Sequence, residues 1–175
     1  MTKAKYGAID QIGYLVDDLD ASIQRWIDLM GVGPWTVFRN VSLNGQYHGQ
    51  QGIVTMDVAL AYQGDVQIEL IKITNETPSP YRDARGAPIL GVHHIAWVVP
   101  DLDSVVARAT ADGLKVAFAA SNPGTKVAYM EADNEPGVLF EFIESPATRA
   151  MIDEGIVIAK TWDGSNPVHI IDFAG

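Results

Sequence analysis

The stretch GVHHIAWVVPDLD, residues 91–103, places two adjacent histidines inside an apolar, strand-like run that ends in an acidic helix cap. Side chains alternate between the two faces of a strand, so His93 and His94 are expected to point in opposite directions. One histidine can then serve a site while the other packs or forms hydrogen bonds on the side of the helices. A second stretch near the N-terminus indicates which histidine serves the site.

That second stretch is AIDQIGYLVDDLD, residues 8–20. Aligned without gaps on the first, it places Gln11 over His94 and Gly13 over Ala96, and both stretches end in DLD. Bulky residues such as Tyr14 and Trp97 occupy the alternate positions, so they lie on the other face of each strand and should pack beneath the helices. The face that carries Gln11 and His94 keeps small neighbours, which suits a cavity better than a packed core.

A second pair of segments supports an internal repeat. DVQIELIK (65–72) resembles GVLFEFIE (137–144), and the alignment places Glu69 over Glu141. The alternative is that two unrelated amphipathic strand–helix units look alike by chance. Two matched segments in the same order, each interrupted by a polar residue at the matched place, favour the repeat.

Each copy is predicted to run strand, helix, strand, strand, strand, with an Asp as the helix N-cap and a glycine near the helix end. The predicted elements are strand 8–16, helix 19–29 and strands 34–42, 53–62 and 65–73, then strand 91–99, helix 102–112 and strands 114–120, 125–131 and 138–144. This is an α+β chain of two βαβββ modules. The expected division is a first module at 1–73, a linker at 74–90, a second module at 91–145 and a C-terminal helix and tail at 146–175.

The two carboxylates of the repeat lie mid-strand among apolar residues. A carboxylate there is costly to bury unless it is paired, protonated or bound to a metal. A pseudo-twofold between the modules would bring Gln11, Glu69, His94 and Glu141 together. One imidazole and three oxygen donors suit a divalent ion such as Zn²⁺, Ni²⁺, Co²⁺ or Mn²⁺.

The segments HHIAWVVPDLD and VLFEFIE resemble the vicinal oxygen chelate superfamily, which includes glyoxalase I, methylmalonyl-CoA epimerase, extradiol dioxygenases and bleomycin-resistance proteins. The resemblance covers about residues 8–145. It implies that the modules form a cupped, eight-stranded mixed sheet around a metal, with the helices on the outer face. It also implies Gln11, Glu69, His94 and Glu141 as the metal ligands, a set similar to that of glyoxalase I.

Gln11 departs from two branches of that superfamily. The epimerase usually has His at the first ligand position, and the dioxygenases bind iron through two His and one Glu. An iron-dependent oxygenase is therefore the least favoured functional hypothesis. The resemblance implies a metal-dependent lyase, isomerase or epimerase that moves a proton alpha to the carbonyl of a small carbonyl or thioester substrate, with Glu141 as the main base and Glu69 as a second base. The alternative is a non-catalytic protein of the same fold that sequesters a hydrophobic small molecule, although such a protein gains nothing from keeping four ligand-type residues.

Composition limits the partners. The formal net charge of −10 disfavours nucleic acid and anionic membranes. The absence of cysteine excludes disulfides and thiol chemistry. No apolar run resembles a signal peptide or a membrane span, so a cytoplasmic location is expected.

Two further segments carry predictions. SPATRAMIDEG should form a helix with Ser145 as N-cap and Gly155 as C-cap, and the apolar tail that follows should support a homodimer. His48 in the glycine-rich segment NGQYHGQ is expected on a loop, either solvated or lent to the cup as a proton shuttle.

Overall fold

The computed structural model describes residues 4–133, 135 and 137–174. Residues 1–3 of the predicted first module and residue 175 of the predicted tail lie outside the described residues, as do residues 134 and 136. The elements are β1 (Gln11–Leu15), α1 (Leu19–Met30), β2 (Trp35–Tyr47), β3 (Gln50–Gln63), β4 (Val66–Ile73), β5 (Gly91–Val98), α2 (Leu102–Ala111), β6 (Lys115–Asn122), β7 (Thr125–Glu131), β8 (Leu139–Glu144), α3 (Pro146–Thr161) and β9 (Val168–Asp172).

The sheet joins the two βαβββ modules through their first strands. β1 pairs antiparallel with β5, and each is flanked in parallel by the last strand of its own module, β4 beside β1 and β8 beside β5. β2 pairs with β3 on one side and with β6 on the other, so the sheet curves round into a cup. The α+β fold with eight module strands is confirmed, and β9 from the tail adds a further strand in parallel to β2.

The core divides as the strand alternation predicts. Leu15 and Ala96 belong to a cluster that fills the inside of the cup. Tyr14 packs with α1 residues in a second cluster outside the cup, and Trp97 packs with α2 residues in a third. Burial of these separate apolar faces against the helices fixes which side of each strand faces the cup.

The three helices of the described residues begin where the sequence predicts. The side chains of Asp18, Asp101 and Ser145 accept hydrogen bonds from the backbone NH groups of Ala21, Ser104 and Thr148 at 3.0, 3.0 and 3.2 Å. Each bond satisfies an NH that the first helical turn leaves without a partner.

The segment around His48 differs from the predicted loop. β2 continues to Tyr47 and β3 begins at Gln50, so the two strands form one long hairpin. The second half of β2 is hydrogen-bonded to β3 and β6 at once, which makes strand the favourable state there. His48 lies exposed on the hairpin turn and does not line the cup.

The C-terminal helix is also longer than predicted. α3 runs through Gly155 to Thr161, so the prediction of Gly155 as a C-cap is wrong. A Cβ at Gly155 would lie 2.1 Å from Cε2 of Tyr62, so this glycine allows α3 to approach β3 closely. Met151 of the same helix packs against the cup cluster. The tail therefore covers part of the cup.

Surface features bear on two further expectations. Within residues 4–133, 135 and 137–174, no helix is both long enough and apolar enough to cross a membrane. Val157 on α3 and Ile170 on β9 remain exposed. The homodimer stays a prediction, for which light scattering at micromolar concentration should give twice the monomer mass.

Candidate metal centre

The four residues of the predicted ligand set meet where the modules join. The His94 Nε2 atom lies 3.1 Å from Gln11 Oε1, 3.1 Å from Glu69 Oε2 and 3.1 Å from Glu141 Oε2. The ligand atoms of Glu69, His94 and Glu141 all lie within 4.8 Å of one another. Because β4, β1, β5 and β8 are adjacent in the sheet, each strand places one of the four side chains on the same patch of the cup floor.

A β-bulge places both histidines near this patch. Along the β1–β5 pair, Gly13 lies opposite His94 but Tyr14 lies opposite Val92, so His93 is an extra residue without a partner on β1. Such an insertion breaks the alternation of side chains and re-aims them. The expectation that His93 turns to the helix side is therefore wrong.

The room for the His94 ring comes from Gly13. A Cβ at that position would lie 2.0 Å from the Cε1 atom of His94. The sequence indicated that Gly13 would leave space for a cavity. The imidazole of His94, from the other module, occupies that space. The position of the His94 ring therefore depends on this glycine.

Hydrogen bonds fix the tautomer of His94. His93 Nε2 lies 3.0 Å from the Pro80 carbonyl oxygen, which can only accept, so Nε2 of His93 carries the proton. Burial, followed by the neighbouring His94, lowers the pKa of His93 to about 3, so its ring is neutral and its Nδ1 accepts. His94 Nδ1 lies 3.0 Å from that nitrogen and donates to it. With Nδ1 protonated, Nε2 faces the three oxygens of the site, and it offers them a lone pair whenever His94 is neutral.

A second hydrogen-bond chain orients Gln11. Tyr62 donates its hydroxyl proton to the Met151 carbonyl oxygen at 3.2 Å and accepts from Gln67 Nε2 at 2.8 Å. Gln67 Oε1 in turn accepts from Gln11 Nε2 at 2.7 Å. The direction of every bond is set from α3 inwards, so Gln11 presents its Oε1 to His94.

The site holds its carboxylates in unequal surroundings. Glu141 is buried, with 5% of its side chain exposed, whereas Glu69 is 15% exposed towards the cup. Burial raises the pKa of Glu141 to about 7, with His94 opposing the rise and Glu69 adding to it. Burial acts to lower the pKa of His94, but Glu141 and then Glu69 outweigh it, and the net shift of that pKa is upward.

The donor set fits a divalent metal. A lone pair that faces three oxygen acceptors is repulsive unless a cation, either a proton or a metal ion, lies between them. The Glu141 Oε2 atom is buried without a hydrogen-bond partner among the described residues. Ligand atoms that share one ion at about 2.1 Å lie roughly 3 Å apart when adjacent, close to the separations found around His94 Nε2. Gln11, Glu69, His94 and Glu141 are therefore able to hold one ion.

Sequence reasoning missed several residues that support the site. Gln67 lies two positions from Glu69 on the same strand face, and that spacing is a signal that could have found it. Tyr81 falls in the predicted linker, yet it is buried, its hydroxyl lies 2.9 Å from that of Tyr129, and its ring stacks on His93. A polar linker composition carries no signal for such a residue.

The sequence of this chain matches a known protein family. The model of the Glyoxalase/Bleomycin resistance protein/Dioxygenase superfamily matches residues 10–129. A search of curated protein sequences found no match.

Solved structures share the fold. A hypothetical protein from Bacillus halodurans C-125 is 23% identical, with a TM-score of 0.55, over 79% of this chain and 94% of its own. Methylmalonyl-CoA epimerase from Mycobacterium tuberculosis is 22% identical, with a TM-score of 0.55, over 86% of this chain and 96% of its own. A Streptomyces coelicolor methylmalonyl-CoA epimerase variant in complex with 2-nitronate-propionyl-CoA is 23% identical, with a TM-score of 0.52, over 79% of this chain and 94% of its own.

Proposed function

The chain belongs to the glyoxalase/bleomycin resistance protein/dioxygenase superfamily, and on that premise we propose that it is a metal-dependent enzyme that moves a proton at the carbon next to a substrate carbonyl. One observation carries the proposal. Three oxygens drawn from both modules surround a single imidazole nitrogen, each at 3.1 Å, on the floor of a cavity. A protein that only binds a hydrophobic molecule gains nothing from burying such a set.

Gln11, Glu69, His94 and Glu141 are the residues that would hold the metal. When bound, a divalent ion supplies Lewis acidity, which lowers the pKa of a C–H bond beside a coordinated carbonyl. His93 holds the His94 ring with its Nε2 lone pair turned to the site. Gln67 holds the Gln11 amide with its oxygen turned the same way.

Glu141 is the proposed base. A carboxylate has two oxygens, so one can bind an ion while the other takes a proton from the substrate carbon. In the metal-free site burial raises the pKa of Glu141 to about 7, so this carboxylate takes up a proton more readily than an ordinary glutamate.

Glu69 is the proposed second base. It comes from the opposite module and lines the same cavity as Glu141. A reaction that inverts the carbon centre needs a proton acceptor on one face and a donor on the other, whereas an isomerase or glyoxalase-type lyase can return the proton from one group. The relative importance of the two carboxylates therefore separates these reactions.

Deuterium uptake tests the proposal. The metal-loaded protein would be incubated in D₂O separately with a methylglyoxal–glutathione hemithioacetal, with methylmalonyl-CoA and with aromatic 2-hydroxyketones. Proton NMR would follow the loss of the signal of the proton on the carbon next to the carbonyl. Catalysed exchange alpha to a carbonyl, lost in Glu141→Gln, is the expected result. Bound metal without exchange on any of these would overturn the enzyme and leave the sequestering protein.

A further inference from the structure

The cup above the candidate metal centre is small and mostly apolar. It has a volume of about 240 Å³, and its walls carry aliphatic and aromatic side chains such as Leu43, Val58 and Ile143. A cavity of roughly 150 Å³ holds benzene, and drug-sized ligands occupy about 300 Å³ or more. The space therefore fits a group the size of one aromatic ring together with a chelating pair of oxygens.

The way into the cup is uncharged. The cup opens into an outer groove of about 760 Å³, with which it shares Phe38, Thr148 and Phe173. Glu69 and Glu141 are the charged residues among the lining of the two spaces, as far as the described residues go. Entry for a ligand that carries several negative charges would be expected to require basic side chains along this path.

Two arginines that adjoin the lining in sequence are engaged by carboxylates. Arg39 pairs with Asp57 at 2.9 Å, and it pairs also with Asp20. Arg149 forms a two-point pair with Asp10, at 2.8 and 2.9 Å. These carboxylates satisfy the guanidinium groups that a phosphate or a substrate carboxylate would otherwise recognise.

A third basic residue adjoins the lining in sequence but lies in another cavity, beside the start of α2. Lys126, between two lining residues of β7, pairs with Glu144 at 3.1 Å. Among the described residues, the lining of the cup and of the groove therefore offers no basic side chain. This arrangement disfavours anionic carriers such as coenzyme A or glutathione.

We infer, on the basis of the proposed function, that the substrate is a compact carbonyl compound whose other substituent is uncharged and about the size of one aryl or branched alkyl group. The oxygens of the compound face the floor formed by Gln11, Glu69, His94 and Glu141. The substituent fills the apolar cup. No carrier group extends through the neutral groove.

Three hydroxamates that share one chelating group test this inference. Acetohydroxamate, benzohydroxamate and 4-carboxybenzohydroxamate would be titrated calorimetrically into the zinc-loaded protein. Burial of one ring should tighten binding of benzohydroxamate over acetohydroxamate by roughly 10- to 100-fold. The added carboxylate should weaken binding by at least about tenfold relative to benzohydroxamate. Equal affinities, or a preference for the charged probe, would overturn the inference.

A pair of matched variants locates the preference. Val58→Phe fills the cup and should abolish the tighter binding of benzohydroxamate while acetohydroxamate still binds. Val157→Phe, on the exposed face of α3, should leave the affinities for both probes unchanged. Equal loss of the phenyl preference in both variants would place that preference outside the cup. If Val58→Phe does not fold, the three affinities of the unmodified protein still decide the question.

The test separates the two proposals. Preference for benzohydroxamate without any deuterium exchange would leave the cup assignment intact and overturn the enzyme. Exchange confined to coenzyme A or glutathione derivatives would leave the enzyme intact and overturn this inference. Failure of all three probes to bind the protein, with zinc absent after loading, would overturn both.

Discussion

The two βαβββ modules share one architecture but contribute different chemistry to their common site. The first module supplies a neutral amide, Gln11, and a carboxylate that is partly exposed to the cup, Glu69. The second supplies the imidazole of His94 and the buried carboxylate of Glu141. A repeated fold thus supplies a symmetric frame in which matched positions have diverged into unequal roles.

The supports of the two halves differ as well. Gln11 is oriented by side chains that lead out to α3, beyond the repeat. His94 is oriented by its neighbour His93, which a bulge within the second module turns towards it. Burial and a fixed tautomer make the second module the one on which cation binding and proton transfer should depend most.

The largest expected effect comes from the two carboxylates. Glu141→Gln removes the proposed base but keeps an amide oxygen for coordination, so the exchange rate should fall roughly 10²- to 10⁴-fold with metal retained. Glu69→Gln should be milder if that carboxylate mainly holds the metal. Rates from deuterium uptake would measure both, and equal losses would indicate that each face of the carbon needs a base, as in an epimerase.

The histidine pair should show the next largest effect. His94→Ala removes a ligand and should lower metal affinity by more than about 100-fold, whereas His93→Ala removes only the group that fixes the ligand ring and should cost roughly 10- to 100-fold. Competition with a chelating dye would measure both affinities. An unchanged affinity in His93→Ala would contradict the tautomer derived from its contacts.

Acidity should weaken metal binding in a defined window. The pKa of Glu141 is raised to about 7 in the metal-free protein, so below that pH a metal ion must displace a proton to bind. Below pH 7 Glu141 should weaken metal binding by up to about tenfold per pH unit, and the proton that His94 must release, since its pKa is raised too, should add to that loss. Titrations between pH 5.5 and 8.5 would reveal the slope, and Glu141→Gln should make it shallower.

The smallest expected effect is on stability, and it distinguishes Gly13 on β1 from Ala96, the matched small residue on β5. Gly13→Ala places a methyl group against the His94 ring and should cost about 1–3 kcal/mol of unfolding free energy and displace the ligand. Ala96→Gly, the reverse change at the matched position, should cost only about 0.5–1 kcal/mol. Urea denaturation would compare them. Equal losses would show that the contact with His94 adds nothing to the cost at Gly13.

Sequence patterns determined most of the fold. The paired segments around Gln11 and His94 predicted two βαβββ modules, because alternation of apolar residues and the capping residues Asp18 and Asp101 report on local structure directly. The prediction of a helix end at Gly155 was wrong because it too rested on a local signal. A glycine near a helix end is a local stop signal, but here its lack of a side chain allows contact with Tyr62.

The sequence by itself determined which four residues are candidates for the site, since a polar group at the same place in two apolar strand pairs is costly without a purpose. Tertiary structure alone decided how they meet. The bulge at His93, the tyrosine of the linker and the chain from α3 to Gln11 all depend on partners that lie far away along the sequence. Periodicity reports the face on which a side chain lies, whereas the direction of each hydrogen bond is set only when distant strands and helices come into contact.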